Sequence, residues 1–131
     1  MNLQVMFKIL MVGLGGFIGA SLRYLIANNI HRLIKNDGFP YGTLTVNLIG
    51  CLLIGFSIRL DEVLKFFSME TRLLVIVGIF GAFTTYSTFS NDTLNLIRDN
   101  KIILAFLNVG VHLLFGLLAV WCGRALASIS L

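Results

Sequence analysis

Apolar residues fall into four long blocks along this chain, at about Val5 to Ile30, Tyr41 to Ile58, Leu73 to Ile97 and Ile102 to Leu126. A helix needs roughly 20 mostly apolar residues to cross a bilayer, so the pattern predicts an all-α membrane protein with four transmembrane helices. The polar connections HRLIKNDGFP, RLDEVLKFFSMETR and RDNK are too short for a soluble domain, which makes residues 1–131 one unit. The stretch DEVLKFFSMETR has charges at both ends and Leu64, Phe66, Phe67 and Met69 inside. It predicts a short interfacial helix. Lys8, the apolar run after it and the small residues Gly19–Ala20–Ser21 have the form of a secretory leader. The apolar character nevertheless continues past Arg23 to Ile30, further than a leader needs.

The third block departs from the pattern. Its purely apolar part, LLVIVGIFGAF, is eleven residues, about 16 Å of helix against a hydrocarbon core of about 30 Å. Thr84, Thr85, Tyr86, Ser87, Thr88, Ser90 and Asn91 then follow almost side by side, just after Gly78 and Gly81. A continuous helix whose hydroxyls bond back to their own carbonyls explains one or two of these residues, but explains TTYSTFSND poorly. The pattern predicts a helix broken at mid-membrane near Gly81. Such backbone survives only if it is buried in protein or faces a cavity. Its freed carbonyls suit a small cation.

The other blocks carry polar residues at helical spacing. Thr43 and Asn47 are four apart, with Cys51 next on the same face; Asn108 and His112 are four apart, followed by Gly116. A mid-membrane amide is costly without a partner, and interhelical bonding and contact with a solute both answer that need. Gly15 and Gly19 form a GxxxG pair that permits close helix contact, with Arg23 on the face of Gly19.

Composition agrees with the bilayer. The chain is 57% hydrophobic and 12% charged, with a mean hydropathy of +0.92, far from the roughly 25% charged residues of a soluble domain. The net charge of +4 is scattered between apolar blocks, which gives no nucleic-acid face. Cys51 and Cys122 lie in apolar runs without metal or disulfide spacing and read as buried free thiols. Four spans put Lys8, Arg59, Lys65, Arg72 and Arg124 on one side, and Arg32, Lys35, Arg98 and Lys101 on the other, with Arg23 close by. Orientation normally follows a Lys/Arg excess, and here there is none. Charge alone leaves open both a single topology and insertion in both directions, with opposed copies pairing as inverted repeats do. Four helices also leave little room for a path through one copy. No nucleophile–base pair, phosphate loop or metal-ligand set points to an enzyme.

The blocks GGFIGASLRY, GTLTVNLIGCLLIG and GIFGAFTTYSTFSND, and more weakly LNVGVHLLFG, resemble those of the Fluc (CrcB) fluoride channels, in the family's order and over essentially the whole chain. The resemblance implies a passive, selective fluoride channel in a prokaryotic cell membrane that lowers cytoplasmic fluoride. It implies a homodimer of antiparallel, dual-topology subunits, with two pores at the interface and a structural Na⁺ on the two-fold axis. By motif match, Gly81 and Thr84 would hold the Na⁺ through their carbonyls. Asn47 would lie beside the pore, Tyr86 and Phe89 would face it, and Arg23 would stand in the vestibule.

The chemistry of the residues suits that role. A pore for a tightly hydrated anion must replace water's donors, and Thr43, Asn47, Thr85 and Ser87 can donate. Ring edges carry partial positive charge. No Lys or Arg lies in the apolar cores of spans two to four, where it would hold an anion too tightly to release.

Departures from the family are Tyr86 for the usual Phe, His112 for a second Asn, and Asp92 for a frequent Glu near a pore mouth. Family members also carry hydroxyls along the pore side of the fourth span, which the Asn108–His112–Gly116 face lacks. A small multidrug or cation antiporter is an alternative, but it needs a membrane carboxylate, usually in the first span, and the first span has none. A non-transporting assembly subunit explains the glycines and amides but not the hydroxyls.

Overall fold

The computed structural model describes residues 2–35 and 38–130. Helix α1 is Leu3–Leu33, α2 is Tyr41–Leu64 and α6 is Ile102–Ile129. Between α2 and α6 lies a third span, Met69–Arg98. It is built from a short α3 (Met69–Arg72), a π-helical segment (Leu73–Phe80), α4 (Gly81–Phe83) and α5 (Tyr86–Arg98). The protein is therefore all-α among the described residues, with four helical stretches long and apolar enough to span a membrane.

Close backbone contact holds the bundle together. α1 packs mainly on the π segment, and then on α2 and α4, while α2 packs mainly on α6. A Cβ added at Gly15 would lie 2.1 Å from the Leu74 carbonyl oxygen, and one at Gly19 would lie 2.1 Å from that of Ile79. The GxxxG pair thus seats α1 directly on the third span's backbone. Gly55 and Gly123 do the same for α2 and α6, against the carbonyl oxygens of Val120 and Leu52. The buried apolar side chains are correspondingly few: Val46, Phe83, Leu96, Ala105 and Ala127. Most large apolar side chains point outward, as they must where the surroundings are lipid or another subunit.

The structure corrects two expectations. No separate interfacial helix forms over residues 61–72. Residues 61–64 continue α2, and residues 69–72 open the third span. The reason is Asp61: its buried carboxylate accepts from the Phe67 backbone N–H at 2.9 Å and from Arg72 Nε at 3.1 Å, folding the connection back on the helix end. Ser68 then caps α3 by accepting from the Thr71 N–H at 3.2 Å. The second correction concerns the thiols: Cys51 is half-buried, but Cys122 is exposed on the outer face of α6.

Candidate functional site

The third span is interrupted, three residues beyond Gly81. Gly81 itself is helical, at φ −62°, ψ −39°. Thr84 (φ −86°, ψ 157°) and Thr85 (φ −151°, ψ 115°) are extended, a conformation that β-branched residues adopt readily.

Asn47 on α2 satisfies the break. Its Oδ1 accepts from the Thr85 N–H at 2.8 Å, and its Nδ2 donates to the Thr85 carbonyl at 3.2 Å. The side-chain amide pairs with Thr85 as a neighbouring peptide would in a sheet. One Nδ2 hydrogen is left over. Thr85, itself buried, restarts the helix as the cap of α5: its Oγ1 accepts from the Thr88 N–H at 3.2 Å.

These bonds leave two carbonyls without their helical partners. The amide that would bond Gly81 C=O belongs to Thr85 and goes to Asn47. The amide that would bond Thr84 C=O belongs to Thr88 and goes to Thr85 Oγ1. Among the described residues neither carbonyl receives another hydrogen bond. Two unpaired carbonyls one turn apart are chemically suited to a small cation.

An open groove of about 540 Å³ runs along the break. Asn47, Thr85, Tyr86 and Phe89 line it, as do Gly81 and Thr84. The Tyr86 and Phe89 rings stand 5.6 Å apart at 48°, and Phe89 meets the His112 ring at 4.5 Å. Tyr86 is 80% exposed, so the groove lacks a wall on that side.

The remaining sequence-predicted residues lie elsewhere. Thr43 donates its hydroxyl to Asp92 at 2.7 Å, at a second, more polar groove near the α2 N-terminus. Ser87 is exposed, and its hydroxyl lies 3.2 Å from Thr85 Oγ1. Arg23 is half-buried on α1, off the groove, without a hydrogen bond or ion pair among the described residues.

Thr93 is a residue that sequence reasoning did not single out. It joins the fully buried Asn108 to the α5 backbone, accepting from Asn108 Nδ2 at 2.8 Å and donating to Phe89 O at 2.8 Å. Its only mark in the sequence is its place one turn after Phe89.

Residues 10–124 match the family model described as CrcB-like protein, Camphor Resistance (CrcB). The chain is 43% identical over 122 residues to a protein of Methanosarcina barkeri named fluoride-specific ion channel FluC 3, which covers 93% of this chain and 91% of that relative. It is 42% identical over 120 residues to the fluoride-specific ion channel FluC of Clostridium novyi, covering 92% and 93% of the two chains. With the protein of that name from Shewanella woodyi the identity is 46% over 119 residues, covering 91% and 94%.

Proposed function

The chain belongs to the CrcB-like family, whose relatives are named as ion channels and not as enzymes, and on that premise we propose that it is a passive, selective fluoride channel of a prokaryotic cell membrane. The observation that carries this reading is the break at Thr84–Thr85, clamped by Asn47 and opening on a groove lined by Asn47, Tyr86 and Phe89. Fluoride loses its water there and is met by weak donors in its place. The spare Nδ2 hydrogen of Asn47 is one, and the ring edges of Phe89 and Tyr86 are others. Each holds the ion loosely enough to let it leave. Ser87 supplies a hydroxyl on the approach, and Arg23 supplies positive charge at the vestibule; the hydroxyl protons of Thr43 and Thr85, expected to face the ion, go instead to Asp92 and to Thr88 Oγ1, so these two residues shape the site rather than donate to fluoride.

The groove is open where Tyr86 is exposed, and one copy buries little. The missing wall is a second copy inserted the opposite way up, so that a homodimer carries two equivalent paths. The balanced Lys/Arg distribution supports insertion in both orientations. The unpaired carbonyls of Gly81 and Thr84 would hold Na⁺ between the two copies. When bound, the ion neutralises the carbonyl dipoles and biases the local field toward anions.

The deciding experiment is fluoride efflux from liposomes carrying the purified protein, read with a fluoride electrode and repeated with chloride. Fluoride efflux with negligible chloride efflux is expected, and equal fluxes would refute the selectivity. Replacing Na⁺ with a large organic cation should weaken the dimer, seen as a lower melting temperature or as dissociation on a sizing column. Unchanged stability would remove the cation from the account.

A further inference from the structure

Phe89 is held from two sides through residues that lie off the groove. On one side its carbonyl accepts the Thr93 hydroxyl at 2.8 Å, and the same hydroxyl oxygen accepts from Asn108 Nδ2 at 2.8 Å. On the other, the His112 ring stands 4.5 Å from the Phe89 ring. That ring is oriented by its Nδ1–H, which donates to the Asn108 carbonyl oxygen at 2.9 Å. The contacts close a circuit from the Phe89 backbone through Thr93, Asn108 and His112 to the Phe89 ring. Among the described residues no other side-chain hydrogen bond joins α5 to α6. Phe89 and His112 line the groove, whereas Thr93 and Asn108 do not. Asn108 is fully buried, and its Oδ1 has no partner among the described residues. A stranded buried acceptor costs at least as much as one neutral hydrogen bond returns, so the amide adds little to stability. What it adds is geometry. The Thr93 proton is committed to Phe89, so its oxygen can only accept from Asn108, and that one bond sets how far α5 stands from α6.

We propose that Thr93 and Asn108 are positioning residues of the fluoride path: their hydrogen bond fixes the gap between α5 and α6 and holds the Phe89 ring edge on the ion's route, so the pair governs discrimination against chloride without touching either ion. This rests on the channel reading above. Fluoride is the smaller anion. A ring edge held in place meets it closely, and a gap that cannot widen excludes the larger chloride. With the link cut, side-chain packing alone holds the ring against His112. The edge then recedes from fluoride while the gap opens to chloride. The two fluxes change in opposite directions. Loss of folded protein does not produce that pattern, because it lowers both together.

The test is fluoride and chloride efflux from proteoliposomes at one pH, normalised to protein that elutes as the parent does. Thr93→Val keeps the shape of the side chain and removes the hydroxyl. Its fluoride-to-chloride flux ratio should fall by about two- to twelvefold, the span of a lost edge contact, with chloride efflux raised. Thr93→Ser, which keeps the hydroxyl, should hold the parent ratio. Asn108→Leu cuts the same bond from α6 and should match Thr93→Val, so the test stands if one of the two variants does not fold. Added to Phe89→Ile, Thr93→Val should lower the ratio no further, because it acts through that ring. An unchanged ratio in Thr93→Val or Asn108→Leu overturns the proposal. So does a parallel fall in both fluxes, or a further fall on the Phe89→Ile background. Absence of fluoride efflux from the parent overturns the channel reading itself, whereas selective parent flux with unchanged variant ratios overturns only the role of the link.

Discussion

Asn47→Asp separates the two jobs assigned to this side chain. The substitution keeps the acceptor for the Thr85 N–H, now at 2.8 Å. It puts a carboxylate oxygen where Nδ2 donates, 3.2 Å from the Thr85 carbonyl oxygen. The hydrogen bond lost is worth about 0.5–1.5 kcal/mol, and the stranded carbonyl costs about 1–3 kcal/mol more. The break should therefore loosen by about 2–4 kcal/mol in total, two or three factors of ten in the population of a disordered segment. The new charge would also stand on the proposed fluoride path. Two unit charges 4 Å apart repel by about 4 kcal/mol at an effective dielectric of 20, so fluoride occupancy should fall on the order of a thousandfold. The assay is fluoride efflux at about pH 8, normalised to protein that elutes as the parent does, alongside a thermal melt. A lower melting temperature with flux cut at least about a hundredfold is expected. A lower melting temperature with undiminished flux would leave Asn47 as a clamp and remove it from the path. Flux and melt both unchanged would refute the pairing of Asn47 with the break.

Phe89→Ile keeps apolar bulk but removes the ring edge between Tyr86 and His112; fluoride efflux should drop by about two- to twelvefold without loss of folded protein, which is what an edge contact of about 0.5–1.5 kcal/mol amounts to. Gly19→Ala should destabilise the protein by about 1–3 kcal/mol, because the new Cβ would sit 2.1 Å from the Ile79 carbonyl. Gly16→Ala, with nothing within 4 Å of the new methyl, should be neutral or slightly stabilising, and a thermal melt of the pair measures the difference. Asp61→Ala should cost about 1–3 kcal/mol, since it strands the Phe67 N–H and releases Arg72. The same melt, with proteolysis of the 65–68 connection, reads it.

Local residue pattern made the spans and the existence of the break legible, because both are consequences of a short stretch of chain. Apolar blocks of this length have one stable solution in lipid. Seven hydroxyl or amide side chains within TTYSTFSN cannot all bond back along one continuous helix. The position of the break was not legible in the same way. Glycine invites a break at Gly81, yet the extended residues are the threonines after it. What selects them is an amide 38 residues earlier in the chain, and no local propensity reports that partner. The interfacial helix failed for a related reason: DEVLKFFSMETR has the right amphipathic composition, but Asp61 spends its charge on the backbone of its own connection.

The same contrast orders the site residues. Asn47 was marked by its chemistry, an amide out of place in a lipid-facing helix, whereas Tyr86 and Phe89 were singled out as pore residues only by the family resemblance. Thr93 was not, since a hydroxyl bonding its own helix at i−4 is ordinary and only the buried Asn108 on α6 gives it a second task. Asn108 thereby joins the helix carrying Phe89 to the helix carrying His112. The two rings are held from both sides, and the separation that an ion would meet between α5 and α6 depends on this link. A polar group that reads in sequence as glue can set a pathway's width without touching the ion, so contact with fluoride and control over fluoride need not fall on the same residues.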